Sequence, residues 1–189
     1  MTELILVTGG ARSGKSSIAE RIFEDYDELL YIATSVPFDE EMNDRIVKHR
    51  ERRGGRWRTV EIYEDFLQLE DNQDFIMCKG ILLDCITVML SNRFYYKEIN
   101  EHTSLEQYDE LECVILEDIS NLINLAKSHG KKMVIVTNEL GMGIVPIDRM
   151  TRMYRDMAGR INQYIAKEAD KVILAVSGIG VELKKIQEG

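Results

Sequence analysis

The chain has 189 residues, of which 44% are hydrophobic, 30% are charged and only two are prolines. It can bury one substantial core, which excludes a disordered tail or a disulfide-stapled mini-protein. Thirty-three acidic against 24 basic side chains leave a net charge of −9, which argues against a whole-molecule grip on nucleic acid or anionic lipid and means that any bound anion is caught locally.

Met1-Thr2-Glu3 leads into a short apolar run, Leu4-Ile5-Leu6-Val7, ending in Thr8-Gly9-Gly10. Neither a signal peptide nor a transmembrane segment is expected, and the default location is cytoplasmic. A continuous run of this kind reads as a strand of a parallel sheet, buried on both faces. Similar runs recur at Leu29-Leu30-Tyr31-Ile32-Ala33, Ile81-Leu82-Leu83, Met133-Val134-Ile135-Val136 and Val172-Ile173-Leu174-Ala175-Val176. The segments between them are long enough to carry helices back across the sheet. The pattern predicts a doubly wound α/β fold with a mainly parallel sheet, as one domain over residues 1–189.

Directly after the first run, Gly9-Gly10-Ala11-Arg12-Ser13-Gly14-Lys15-Ser16 fits G-x-x-x-x-G-K-[ST], with an amphipathic helix predicted from Ser17 to Phe23. Strand, loop and helix in this order are the context the motif requires, and they predict a P-loop NTPase domain; a RecA-like form of that fold is the expectation. Glycines let backbone N–H groups converge on phosphate oxygens. Lys15 supplies a point charge for the outer phosphates, and the Ser16 hydroxyl is a hard oxygen ligand for Mg²⁺.

Further along, Arg45, Lys48, Arg50, Arg52, Arg53, Arg56 and Arg58 face one acid, Glu51, for a local charge of +6. Such a cluster in an acidic protein is either a place for a phosphorylated ligand or a solvated basic face. Asp39 is a plausible N-cap here, with Met42, Ile46 and His49 following on one helical face. His49 is either a rim residue or, kept neutral by the arginines, a nucleophile toward phosphorus.

Gly80-Ile81-Leu82-Leu83-Asp84 ends a strand in a carboxylate, which suits the metal's water shell beside such a loop; Asp84 as an N-cap of the next helix is the compatible alternative. Cys78, Cys85 and Cys113 are odd in number and show no metal-ligand spacing, so no zinc site or disulfide framework is expected. Residues 92–108 are polar and aromatic without a clear period and read as a surface excursion. Within them, Phe94-Tyr95-Tyr96 reads as a subunit contact, a substrate platform or an ordinary core edge, the last being favoured. Leu111, Ile115, Ile119, Leu122, Ile123 and Ala126 keep helical spacing, with Gly130 where a C-cap is wanted. After Pro146 another helix carries Met150, Met153, Met157, Ile161 and Ile165 on its core stripe and Arg149, Arg152, Arg155 and Arg160 on a solvated basic face.

The string from Ile5 to Ser16, followed by Tyr31-Ile32-Ala33-Thr34-Ser35 and Arg45-Ile46-Val47-Lys48-His49-Arg50, resembles one family. It is similar to the bifunctional adenosylcobinamide kinase/adenosylcobinamide-phosphate guanylyltransferases of cobalamin biosynthesis. The likeness continues through Trp57–Glu61, Leu83–Thr87, Val136–Pro146 and Ala158–Gln163 to Val176–Gly180. The resemblance implies that Gly9 through Ser16 hold a nucleoside triphosphate and that Ala33, Thr34 and Ser35 line the same site. It implies that His49 takes GMP from GTP as a covalent intermediate, with Arg50, Glu51, Arg52, Arg53, Glu61 and Asp84 contacting the guanine nucleotide. Lys15 would stabilise the phosphoryl transfer, and Ser16 and Asp84 would hold Mg²⁺. ATP or GTP phosphorylates the corrinoid, and a homotrimer is implied. Gly54 stands where many relatives carry proline, and Asp84 at a position where relatives can carry Glu.

Two other readings compete. One is a generic P-loop kinase for a small metabolite or nucleotide, in which His49 is structural and no guanylyl transfer occurs. The other is a nucleotide-dependent switch or binding module, against which Thr137-Asn138-Glu139-Leu140 lacks the N-K-x-D arrangement that reads guanine in such switches.

Overall fold

A computed structural model describes residues 2–35 and 55–187. Its centre is a seven-stranded sheet built from β1 (Leu4–Gly9), β2 (Leu29–Ala33), β3 (Trp57–Glu61), β4 (Gly80–Asp84), β5 (Lys132–Val136), β6 (Lys171–Val176) and β7 (Ile179–Glu182). The strand order is β3-β2-β4-β5-β1-β6-β7. All pairings are parallel except β6 with β7.

The continuous apolar runs become strands because both faces of the sheet are covered, so side chains alternating up and down must both be apolar. Leu4 and Leu6 of β1 join Leu30, Ile32, Ile81, Leu83, Met133 and Ile135 in one core cluster. Ile5 and Val7 turn the other way, onto Leu29, Tyr31, Leu82, Val134 and Val136. Helix α1 (Lys15–Arg21) covers this second face through Ile18 and Ala19, with Phe23 just beyond its end. On the first face lie a 3₁₀ turn (Phe66–Leu69), the short α2 (Gln73–Met77), α3 (Ile86–Tyr96), the 24-residue α4 (Leu105–Ser128) and α5 (Arg149–Glu168). A final short helix, α6 (Leu183–Gln187), follows β7.

Helix α4 begins with a reciprocal cap, Ser104 with Gln107, and stops at Gly130, whose φ of +67° suits a residue without Cβ. Its buried stripe contains each residue that the spacing predicts: Leu111, Ile115, Ile119, Leu122, Ile123 and Ala126.

Four expectations are corrected. First, β3 and β7 carry no apolar run; they are outer strands, and along β3 only Trp57 is buried, edge-on to Tyr31 and Phe23. Second, residues 92–108 are a surface excursion only in part: most of 95–107 is exposed, but the segment begins and ends inside helices whose residues reach the core. Asn92, Arg93 and Phe94 are buried in α3, and Tyr108 is buried in α4; of the aromatic triplet only Phe94 is a core residue, while Tyr95 and Tyr96 are exposed.

Third, the arginines of α5 do not form a free solvated face. Arg149 donates to the carbonyls of Glu101 and Thr103 at 3.0 and 2.7 Å, Arg152 to those of Pro146 and Ile147, and Arg160 forks onto Glu112. They tie α5 to the preceding loops and to α4. Met150, at the start of the predicted stripe, is exposed. Fourth, the N-cap of α3 is Cys85, not Asp84.

The parallel register aligns the carboxyl ends of the strands on one edge. Ala33 pairs with both Glu61 and Asp84, Asp84 with Val136, and Val136 with Val7 of β1. Open α/β sheets bind ligands on this edge.

Candidate active site

The glycine-rich loop leaves β1 between β5 and β6 and is fitted closely to its surroundings. A Cβ on Gly9 would stand 2.3 Å from the carbonyl oxygen of Ala175. Gly14 has φ +93°, and a Cβ there would stand 2.9 Å from Cα of Gly178. Gly178 N donates to the Ser13 carbonyl at 2.8 Å, and Glu139 N to the Gly9 carbonyl at 3.0 Å. The loop is therefore held from both sides, by the β6–β7 turn and by the segment after β5. Gly14 caps α1 without offering a side chain to its first-turn N–H groups, which leaves them as donors for an anion.

Lys15 is buried, and its Nζ donates to the Gly10 carbonyl at 2.7 Å, so the ammonium lies folded across the loop. Burial pulls its pKa below the usual lysine range, while Cys85 and Asp84 favour the charged form. Ser16 Oγ donates to Asp84 Oδ2 at 3.1 Å, and the Tyr31 hydroxyl donates to the same oxygen at 2.9 Å. A hydroxyl and a half-buried carboxylate in contact beside the loop form an all-oxygen pair of the kind that suits a hard divalent cation. Among the described residues no three His, Cys, Asp or Glu side chains converge as a metal cluster.

Thr34 is fully buried and already engaged: its Oγ1 donates to the Cys85 carbonyl at 2.8 Å and accepts from Cys85 N at 2.9 Å. It fastens β2 to the turn after Asp84. Asn92 Nδ2 donates to the Thr34 carbonyl at 2.5 Å. Ala33 is buried within β2, and Ser35 is half-buried beyond it. Glu61 is exposed at the end of β3, one strand away from Ala33 and two from Asp84. The structure thus brings Gly9–Ser16, Ala33–Ser35, Glu61 and Asp84 to one edge of the sheet. His49, Arg50, Glu51, Arg52 and Arg53 lie outside the described residues, as do Arg45 and Lys48. Of the basic cluster's other members, Arg56 donates to the Glu24 carbonyl at 2.8 Å and Arg58 stands 4.0 Å from Asp74, both near the outer strand β3.

A second polar group on this edge falls largely within the stretches that carry the family resemblance, but the resemblance assigns its residues no role. Asn138 Nδ2 donates to Thr87 Oγ1 at 2.6 Å, and Tyr154 donates to the Thr87 carbonyl at 2.6 Å. Asn162 Nδ2 donates to the Asn138 carbonyl at 3.1 Å, and Thr137 Oγ1 donates to Asn162 Oδ1 at 2.7 Å. Burial raises the Tyr154 pKa far above the ordinary phenol range, so the hydroxyl stays a donor. These contacts join three elements far apart in sequence. The only local hint is that polar residues directly follow the apolar runs of β4 and β5. Cys78 and Cys85 are buried free thiols and Cys113 an exposed one; burial pushes Cys78 up to about 11. Among the described residues no helix is long and apolar enough to cross a membrane.

Comparison with known proteins points the same way. The family described as cobinamide kinase / cobinamide phosphate guanyltransferase matches residues 5–183. The chain is 44% identical over 181 residues to the bifunctional adenosylcobalamin biosynthesis protein CobU of Escherichia coli strain K12, covering 96% of this chain and 99% of that protein. It is 45% identical over 183 residues to the protein of the same name from Salmonella typhimurium, with 96% and 99% covered. Against CobP of Pseudomonas aeruginosa, a bifunctional adenosylcobalamin biosynthesis protein, identity is 35% over 181 residues, with 95% and 96% covered. The chain belongs to the cobinamide kinase / cobinamide phosphate guanyltransferase family.

Proposed function

We propose that this chain phosphorylates adenosylcobinamide with ATP or GTP and then transfers GMP from GTP to the product, giving adenosylcobinamide-GDP in cobalamin biosynthesis. The observation that carries the reading is the glycine-rich loop, with Lys15 folded over it and Ser16 bonded to Asp84, in a chain of this family. In this reading the domain is a P-loop NTPase of RecA-like type, and one domain over residues 1–189 performs both reactions.

In the kinase step the loop amides and the α1 N-terminus take the outer phosphates, and Lys15 swings from the Gly10 carbonyl to the phosphate it neutralises. The hydroxyl oxygen of the substrate's aminopropanol arm attacks the γ-phosphorus and gives up its proton to solvent, the bond to the bridging oxygen breaks, and the nucleoside diphosphate leaves. Ser16 and Asp84 would hold Mg²⁺, which supplies charge neutralisation to the phosphates when bound. Tyr31 keeps Asp84 oriented toward Ser16.

In the second step an imidazole nitrogen of His49 attacks the α-phosphorus of GTP. A P–N bond forms and pyrophosphate leaves. A phosphate oxygen of the phosphorylated corrinoid then attacks that phosphorus, the P–N bond breaks and the imidazole is released. Arg50, Arg52 and Arg53 neutralise phosphate charge, and Glu51, Glu61 and Asp84 contact the guanine nucleotide. These roles rest on the family resemblance. A homotrimer in the cytoplasm belongs to the same proposal, and sedimentation equilibrium tests the assembly.

The test is to supply purified protein with Mg²⁺, adenosylcobinamide and γ-labelled ATP or GTP, then unlabelled GTP. Label is expected first on the corrinoid as a monophosphate and afterwards in adenosylcobinamide-GDP. Phosphorylation that never proceeds to the GDP product identifies a kinase alone.

A further inference from the structure

Two cavities of this molecule share a wall. The first, about 420 Å³, is lined by Thr87, Val88, Asn92, Asn138 and Leu140. The second, about 370 Å³, is lined by Phe94, Tyr95, Ile99, Met150 and Thr151. Ser91 and Tyr154 line both, so the two adjoin along the groove between α3 and α5 and are taken together as one trough.

The trough's two ends differ chemically. Its polar end adjoins the nucleotide site: Thr87 is three residues past Asp84, and the segment of Asn138 continues to Glu139, whose N–H holds the Gly9 carbonyl. Its far end is aromatic and aliphatic. Asn92 is fully buried; its Nδ2 is spent on the Thr34 carbonyl, while its Oδ1 has no hydrogen-bond partner. A buried acceptor left unmatched calls for an explanation.

We infer that this trough is the acceptor-substrate site, with the hydroxyl-ended amide arm at the Thr87–Asn92–Asn138 end and an apolar edge of the large ring on Phe94, Tyr95 and Met150. The inference rests on the corrinoid-kinase reading above and adds the place where that substrate binds. Three features select this occupant over a second nucleotide. Among the described residues the polar end offers neutral amide and hydroxyl groups rather than cations, which suits an amide and not a triphosphate. The polar end adjoins the loop through the segment of Asn138 and Glu139, whose N–H holds the Gly9 carbonyl, so a hydroxyl bound there lies beside the phosphate-binding loop. The apolar end matches the hydrocarbon rim of a macrocycle.

Ser91 is exposed on α3 where the two cavities meet, so Ser91→Trp fills the junction without disturbing the core. Met150→Lys alters only the far end. Binding of adenosylcobinamide is followed by titration calorimetry, binding of a fluorescent GTP analogue in parallel, and folding by melting temperature. The expected result is cobinamide affinity lowered ~10-fold or more by Ser91→Trp and about 3-fold by Met150→Lys, with GTP-analogue affinity and melting temperature unchanged. Wild-type cobinamide affinity in both folded variants overturns the trough assignment and leaves the functional reading standing. A wild-type protein that binds the GTP analogue but neither binds nor phosphorylates cobinamide overturns both.

Discussion

Ser16 and Asp84 are 68 positions apart in the chain and 3.1 Å apart in the fold, the serine Oγ donating to the aspartate Oδ2. The contact exists because β1 and β4 flank β5 in one parallel sheet, so that the loop after β1 and the last residue of β4 open on the same edge. Tyr31, reaching from β2 to the same carboxylate oxygen, fixes its rotamer. An apolar sheet interior thus delivers a hydroxyl and a carboxylate into contact beside the glycine-rich loop.

Asp84→Asn keeps the volume and removes the charge. The phosphorylation rate at saturating nucleotide should fall on the order of 100-fold or more, and its dependence on Mg²⁺ concentration should weaken. Initial rates with γ-labelled nucleotide across a Mg²⁺ series check this. An unchanged Mg²⁺ profile would remove Asp84 from the metal site.

Lys15→Met should abolish phosphorylation without lowering stability at neutral pH. Burial holds the Lys15 pKa below 10.5. A lysine lowered in this way opposes folding fully while pH lies below its folded-state pKa. That penalty shrinks as pH rises through the folded value and disappears above the unfolded one. The variant should therefore melt no lower than wild type at pH 7, and any advantage should fade as pH approaches 10.5. Thermal melts at several pH values follow this, and a large loss of stability at pH 7 would contradict it.

Gly14→Ala places a methyl 2.9 Å from Cα of Gly178, at a φ of +93°. The loop must shift away from the β6–β7 turn, at a cost of about 1–3 kcal/mol. Affinity for a fluorescent GTP analogue should drop by ~10-fold or more, because the loop amides lose their common focus. Wild-type affinity in this variant would show that the loop does not need its fit against Gly178.

Arg93 is buried on α3, bonded to Glu64 after β3 and to Asp118 on α4, the latter at 3.0 Å. Burial raises the Asp118 pKa despite the guanidinium beside it. Arg93→Met strands that carboxylate and should cost about 3 kcal/mol in urea unfolding, whereas the double variant Arg93→Met with Asp118→Leu should recover part of the loss. Equal stability of the two variants would show that the ion pair, and not the orphaned charge, sets the cost.

The sheet's central strands were legible because they are buried on both faces, which forces continuous apolar runs such as Ile81–Leu83 and Met133–Val136. Asp84 was legible for the same reason, as a carboxylate ending such a run. Strand β3 was not: as an outer strand it needs to bury only Trp57, so Arg58 and Glu61 hide its period. The extent of helix α3 beyond its first turns was not legible, because Asn92 and Arg93, polar by type, are buried there against Thr34, Glu64 and Asp118. The Thr87–Asn138–Tyr154 group depends on pairings across 51 and 67 residues, which no local pattern records. His49 and the arginines beside it are outside the described residues, so their role rests on sequence and kinship.

The most direct test is to incubate the protein with Mg²⁺ and GTP labelled at the α-phosphate, denature it, and assay acid-labile, base-stable label in wild type and in His49→Asn. Label in the wild type alone is the predicted result, since only a phosphoramidate on His49 gives it. Absence of label from the wild type, or equal label in both proteins, would contradict guanylyl transfer through that histidine.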